Sequence, residues 1–331
     1  MSLPPDDLPR SPTGRVPQWV RDEAAGWTST PTQWRHAGPP STAPFERSGT
    51  RWSRFVTVLV VVVVVGSVTH RLAQARGGSR DLGPDYSNVV LSRSASELPP
   101  AVVTNRLNPP PGFEETGTHL GAAPTVTTTS TSYAFQRMQV DGTNGAAPVA
   151  WSPCRPIHFV VNPTSAPKDF VHQVVASMGT ASVATGLVFV NDGVTDEAPT
   201  AERVPYQPAR YGDRWAPVLV QFVDDAAIAG LDGDVVGEAD VRSAEDPHTG
   251  VRYFISGTVS LDTTLLRHRD LAGVPAYLPV LRHELGHLLG LDHIDDRGQL
   301  MYPTTGAVVT YQDGDLAGLA RLGKGACAPW L

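Results

Sequence analysis

The sequence predicts an α+β domain over residues 133–331, and three observations predict it. Short β-prone runs recur at residues 157–161, 187–190, 218–223 and 253–261, with a weaker one through 234–241. Amphipathic helical stripes stand among and after them, at 168–185 and 313–322. Between the last strand and the last helix lies a histidine-rich helical stretch, roughly 276–289.

Each element has a local cause. The first strand follows Cys154-Arg155-Pro156 directly. In the first helix Phe170, Val171, Val174, Val175 and Met178 form one apolar stripe, and Gly186 supplies the stop. Residues 218–223 are almost uniformly apolar, and 253–261 alternate less cleanly through Phe254, Ser256 and Val259. Pro275 and Pro279 are tolerated in the histidine-rich helix only near its first turn. In the last helix Leu316, Leu319, Ala320 and Leu322 face inward.

The chemistry sits in residues 283–293, His-Glu-Leu-Gly-His-Leu-Leu-Gly-Leu-Asp-His. On a helix, His283 and His287 share one face, one turn apart. Two imidazoles so placed can grip one zinc ion, with Glu284 beside the open coordination position. Catalytic zinc usually takes three protein ligands and keeps a place for water. His293 fills the third position, because Gly290 lets the chain leave the helix and fold back. Glu284 is then the general base that takes the water's proton. Asp292 is expected to support a histidine or to cap the turn.

With Gly290, His293 and then Leu300-Met301-Tyr302-Pro303, the stretch resembles the metzincin zinc peptidases, and most closely their matrixin (matrix-metalloproteinase-like) branch. The resemblance implies a twisted, mostly parallel sheet with an active-site helix, a methionine turn and a C-terminal helix. It also implies zinc on His283, His287 and His293, with Met301 as an apolar floor beneath the imidazoles. Tyr302 is not assigned to the metal, since metzincins that use a tyrosine ligand carry it one position later, where Pro303 stands. Structural calcium is a weaker expectation, on Asp232, Asp234, Glu238 and Asp240 in a glycine-rich loop. The propeptide cysteine that keeps many matrixins latent has no counterpart, because no cysteine precedes Cys154.

The rest of the chain divides by composition. Residues 1–54, with nine prolines and four of the seven tryptophans, read as a disordered cytoplasmic extension. Residues 55–69 read as a transmembrane segment whose apolar core, 55–68, spans about 21 Å as a helix, short of the ~30 Å hydrocarbon layer. Two readings stand: a single-pass signal anchor with the C-terminal domain extracytoplasmic, which is favoured, or a signal segment cleaved near Ala73-Gln74-Ala75 and a secreted product. Residues 70–132, with Pro109-Pro110-Pro111 and a Ser/Thr run, read as a linker or propeptide. Cys154 and Cys327 bracket the predicted domain and read as one disulfide.

Eight arginines and five acidic residues give residues 1–75 a charge of +3, leaving −10 of the total −7 for residues 76–331. That acidic remainder argues against nucleic acid as a partner. The expected partners are a peptide or protein substrate and, through residues 55–69, a membrane. The expected function is a zinc endopeptidase acting outside the cytoplasm. Two alternatives stay open: a catalytically silent cell-surface binding module of the same fold, and a zinc amidase acting on cell-wall peptides.

Overall fold

Runs of β-branched and aromatic residues become a sheet covered on both faces, and the longer apolar stripes become the helices that cover one of them. The computed structural model describes residues 32–35, 89–91, 107–124, 128–141, 145–200, 202–224, 227, 228, 231, 235–268, 273–304 and 306–331. The N-terminal part contributes strands β1 (Thr32–Arg35), β2 (Val89–Leu91), β3 (Ala134–Phe135), β4 (Met138–Asp141), β5 (Gly145–Pro148) and β6 (Ala150–Trp151). Strand β7 (Ile157–Asn162), helix α1 (Phe170–Thr185), strand β8 (Phe189–Val194) and the short helix α2 (Pro208–Tyr211) follow. Then come β9 (Val218–Val223), β10 (Val235–Glu245), β11 (Arg252–Asp262), α3 (Tyr277–Leu289), β12 (Leu291–Asp292) and α4 (Asp313–Leu322).

The main sheet runs β1-β10-β11-β9-β7-β8-β2, with β6 also on β11. Five of its seven pairings are parallel; only those of β10, with β11 and with β1, are antiparallel. The expected mixture of helices with a mostly parallel sheet is therefore present. Parallel strands buried on both faces read as continuous apolar runs, and β9 shows why. Val218, Val220 and Phe222 face the main core under α1 and α3, while Leu219 packs with Val160, Tyr211 and Ala216 on the other side.

Helix boundaries follow local chemistry. Helix α1 ends at Gly186, whose φ of 75° is left-handed and whose N–H closes on the Ser182 carbonyl. Helix α3 lies across β10 and β11 in the core. Its C-terminal carbonyl at Leu288 accepts a 2.9 Å bond from the indole of Trp151, satisfying one of the orphan acceptors a helix end leaves. The Cys154–Cys327 disulfide is present, with Cα atoms 5.3 Å apart.

Residues 107–124, inside the segment read as a linker, are hydrogen-bonded to the domain. The Thr116 amide bonds to the Cys154 carbonyl at 2.8 Å and that of Leu120 to the Pro153 carbonyl at 3.0 Å. The Glu115 carboxylate accepts from Ser152 and from the Ala328 amide, both at 2.9 Å. Beside it, His158 on β7 lies between Asp192 on β8 (2.9 Å) and Glu114 (3.4 Å), and Arg214 pairs with Glu114 at 3.0 Å. Nothing in the local pattern of His158 announces this cluster, because its partners come from distant parts of the chain.

The membrane expectation needs correction. Among the described residues no helix is long and apolar enough to cross a membrane. Helix α1, with 16 residues, reaches only about 24 Å, and its inner face is buried in the domain. Strand β1 also shares a sheet with the C-terminal domain, where the single-pass, extracytoplasmic-domain reading put a bilayer between them. The stretch 55–69 and the Ala73-Gln74-Ala75 motif lie outside the described residues.

Two outcomes are expected. Replacing Cys154 and Cys327 together by serine should lower stability by about 2–4 kcal/mol in urea unfolding, the usual contribution of a disulfide closing a long loop. Burial opposes a proton on His158, but its hydrogen bonds to Asp192 and Glu114 outweigh burial and raise its pKa above 6.5. A raised pKa means stability fully present below the unfolded value near 6.5 and lost as pH rises through the folded value. The stability difference between wild type and His158→Gln, measured against pH, should therefore shrink on going alkaline.

Candidate metal centre

Helix α3 sets His283 and His287 one turn apart, with ring centroids 4.6 Å from each other. Gly290 ends the helix at φ 115°, and its amide closes on the Gly286 and His287 carbonyls. A side chain there would press on Leu322, Phe254 and the Val149 carbonyl, so the turn needs glycine for both conformation and space. The returning chain is caught by β3, which pairs with β12 at Leu291 and Asp292. His293 follows, its amide bonded to the Asp292 carboxylate at 2.8 Å. Asp292 thus caps the turn, as expected.

The Nε2 atom of His293 lies 3.2 Å from Nε2 of His283 and 3.2 Å from Nε2 of His287. The other ring nitrogens point away. Nδ1 of His283 donates to the Leu300 carbonyl at 2.7 Å, and Nδ1 of His287 to the Leu291 carbonyl at 2.8 Å. A carbonyl can only accept, so the proton sits on Nδ1 and Nε2 presents a lone pair. Burial, with the neighbouring imidazoles adding to it, brings His283 down to about 3 and His287 well below 6.5; burial also lowers His293.

Lone pairs that converge without a proton between them repel unless a cation joins them. Three nitrogens around tetrahedral zinc, each at ~2.0–2.1 Å, stand about 3.3 Å apart. The two spacings from His293 fit, and neutral imidazole is the donor zinc takes. These three histidines are the residues that would hold such an ion.

The floor of the site is the methionine turn. A Cβ at Gly286 would meet Sδ of Met301 at 2.5 Å, so the glycine lets the buried Met301 lie directly against α3. The turn is held by Asp315 on α4, whose carboxylate accepts from the amides of Leu300 at 2.8 Å, Met301 at 3.3 Å and Gln312 at 2.9 Å. Burial raises the Asp315 pKa, and those three amides oppose the rise. Because the Leu300 carbonyl orients His283, Asp315 reaches the metal site through a single peptide unit. Sequence reading missed this residue. Its one available signal was an acidic residue at the third position of α4, where it forms a capping box with Gln312.

Glu284 is fully buried beside the histidines. Neither carboxylate oxygen makes a well-aligned hydrogen bond among the described residues; the contact with the Ala239 amide is marginal. Burial, then the charge of Glu238, raise its pKa well above 4.5, and the Ala239 amide offers only weak relief. Glu238 itself is raised to about 7 by burial and by Asp240.

Other sequence candidates fall elsewhere. Glu238 and Asp240 belong to strand β10 rather than to a loop, and Asp240 pairs with Arg242 at 2.8 Å; Asp232 and Asp234 lie outside the described residues. Tyr302 sits under the guanidinium of Arg297, 4.9 Å from the ring centre. The other cluster with metal-ligand atoms, Glu115 with Cys154 and Cys327, is spent on the disulfide.

Comparison with known families agrees with this region. The family model for matrixin matches residues 253–322, a stretch that contains β11, α3, the three histidines, the methionine turn and α4. No curated protein matches the chain at a significant level.

Asp315→Asn should keep the fold while weakening zinc 10- to 100-fold, the usual cost of losing an outer partner of a ligating histidine. Competition with a chromophoric chelator measures it; unchanged affinity would show that the methionine turn holds without Asp315.

Proposed function

We propose that the chain is a zinc-dependent endopeptidase in which His283, His287 and His293 hold the ion and Glu284 is the catalytic proton acceptor. One observation carries the reading: three imidazoles converge, His293 lying 3.2 Å from each of the other two, with a buried carboxylate directly after the first of them in sequence. The matrixin match over residues 253–322 supports it independently.

A zinc ion held there supplies Lewis acidity, which makes a water molecule acidic near neutral pH and polarises the carbonyl to be attacked. The protein's own residues do the rest. The Leu300 and Leu291 carbonyls keep the imidazoles in one tautomer and one orientation. Burial raises the Glu284 pKa well above 4.5, and a cation beside it would favour the ionised form, the one able to accept a proton. The protonated carboxyl would then be the group placed to give that proton to the leaving amine. Met301 and Gly286 close the site from below and exclude water from that side.

The test uses the full-length protein and its Glu284→Ala variant, with zinc content and cleavage of unfolded casein measured together. About one zinc per chain in both is expected, with cleavage lowered at least ~10²-fold in the variant and abolished by chelator in the wild type. Zinc bound without casein cleavage, but with release of amines from cell-wall peptides, would replace the peptidase reading by an amidase. A folded protein that takes no stoichiometric zinc would overturn both.

A further inference from the structure

We infer that Gly237 on β10 is a positioning residue for the Glu284 carboxylate, an inference that rests on the reading of Glu284 as proton acceptor. Glycine here is not required by backbone conformation. Gly237 pairs with Leu261 of β11 and with Trp34 of β1, beside a register shift in the β1 pairing, and has none of the positive φ that marks Gly186 or Gly290. What it supplies is space. A Cβ built on Gly237 would stand 2.7 Å from Oε1 of Glu284, 3.0 Å from its Cγ, and 2.7 Å from Cγ1 of Val280. Real Cβ atoms essentially never come closer than 3.0 Å.

The helix has no room to retreat. Its seat on the sheet is fixed at Gly257, where a Cβ would meet Leu288 at 2.6 Å, and at the Trp151–Leu288 hydrogen bond. From beneath, Met301 presses on Gly286. The group able to yield is the far end of the flexible Glu284 side chain, on which the Ala239 amide has only a weak hold. Alanine at position 237 would therefore push the carboxylate aside, and the stiffer Val280 side chain would have to give by a few tenths of an ångström as well. The bare Cα of Gly237 is the wall that sets where that carboxylate sits.

The experiment is a double-mutant cycle on the full-length protein loaded with zinc. Gly237→Ala should lower kcat about tenfold or more, as misplacing a catalytic group by about 1 Å does, while KM and zinc stoichiometry change less than twofold. In the Glu284→Asp background, whose shorter side chain withdraws from Gly237, adding Gly237→Ala should change kcat less than twofold. Recovery of kcat by Val280→Ala, instead of by shortening Glu284, would overturn the inference and make Gly237 a helix-packing residue. A second cycle reads stability and needs no turnover. Gly237→Ala should cost less in the Glu284→Ala background than in wild type, and relief only in the Val280→Ala background would again overturn the proposal. If wild type cleaves nothing, the peptidase reading falls and the stability cycle still decides the placement.

Discussion

Three imidazoles can aim their lone pairs at one point only if each ring disposes of its remaining proton elsewhere, and this chain uses backbone carbonyls to receive two of them. Leu300 and Leu291 accept from His283 and His287. Those carbonyls are placed in turn by the methionine turn and by the β12–β3 pairing. Much of the architecture serves that requirement. Helix α4 contributes Asp315 to fix the turn, Gly290 redirects the chain towards β3, and the sheet gives α3 a bed smooth enough to lie on. A carboxylate acceptor would have put a second titrating group against the ring; a peptide carbonyl does not titrate, and the ionisable Asp315 stands one peptide unit further back.

Legibility in the sequence tracked the range of the forces involved. Strand β9 and helix α4 begin and end where short-range pattern puts them, because apolar periodicity alone determines them. Helix α1 begins at Phe170, two residues inside the expected start, where Pro167 accepts from the Phe170 amide in a turn outside the helix. Strand β10 runs four residues beyond its expected end, carried on by pairing with β11 that no local propensity reveals. The docked segment 107–124 was illegible for the same reason: its proline-rich composition reads as a stalk, and its anchors are single bonds to residues far along the chain.

The clustering of the three histidines was legible to an unusual degree. His283, His287, Gly290 and His293 owe their mutual geometry to one helix and one turn, so spacing alone carries it. Residues acting from outside that stretch, Asp315 and Gly237, left almost no local trace. One is an acidic residue among several near a helix start, the other one of 31 glycines. Such residues become visible only when the elements are packed.

The disulfide has a further consequence for a molecule read as a peptidase. Cys154 and Cys327 are 173 residues apart and enclose β7 through α4 in one covalent ring. A single cut in any surface loop of that ring, including one made by a neighbouring copy, opens the ring without separating its pieces. The severed chain gains only one water in mass and, where the cut spares the packed elements, keeps its core. Damage of this kind stays hidden until the sulfur bond is reduced, and the number of intact backbones in a preparation can fall well before the number of intact molecules does.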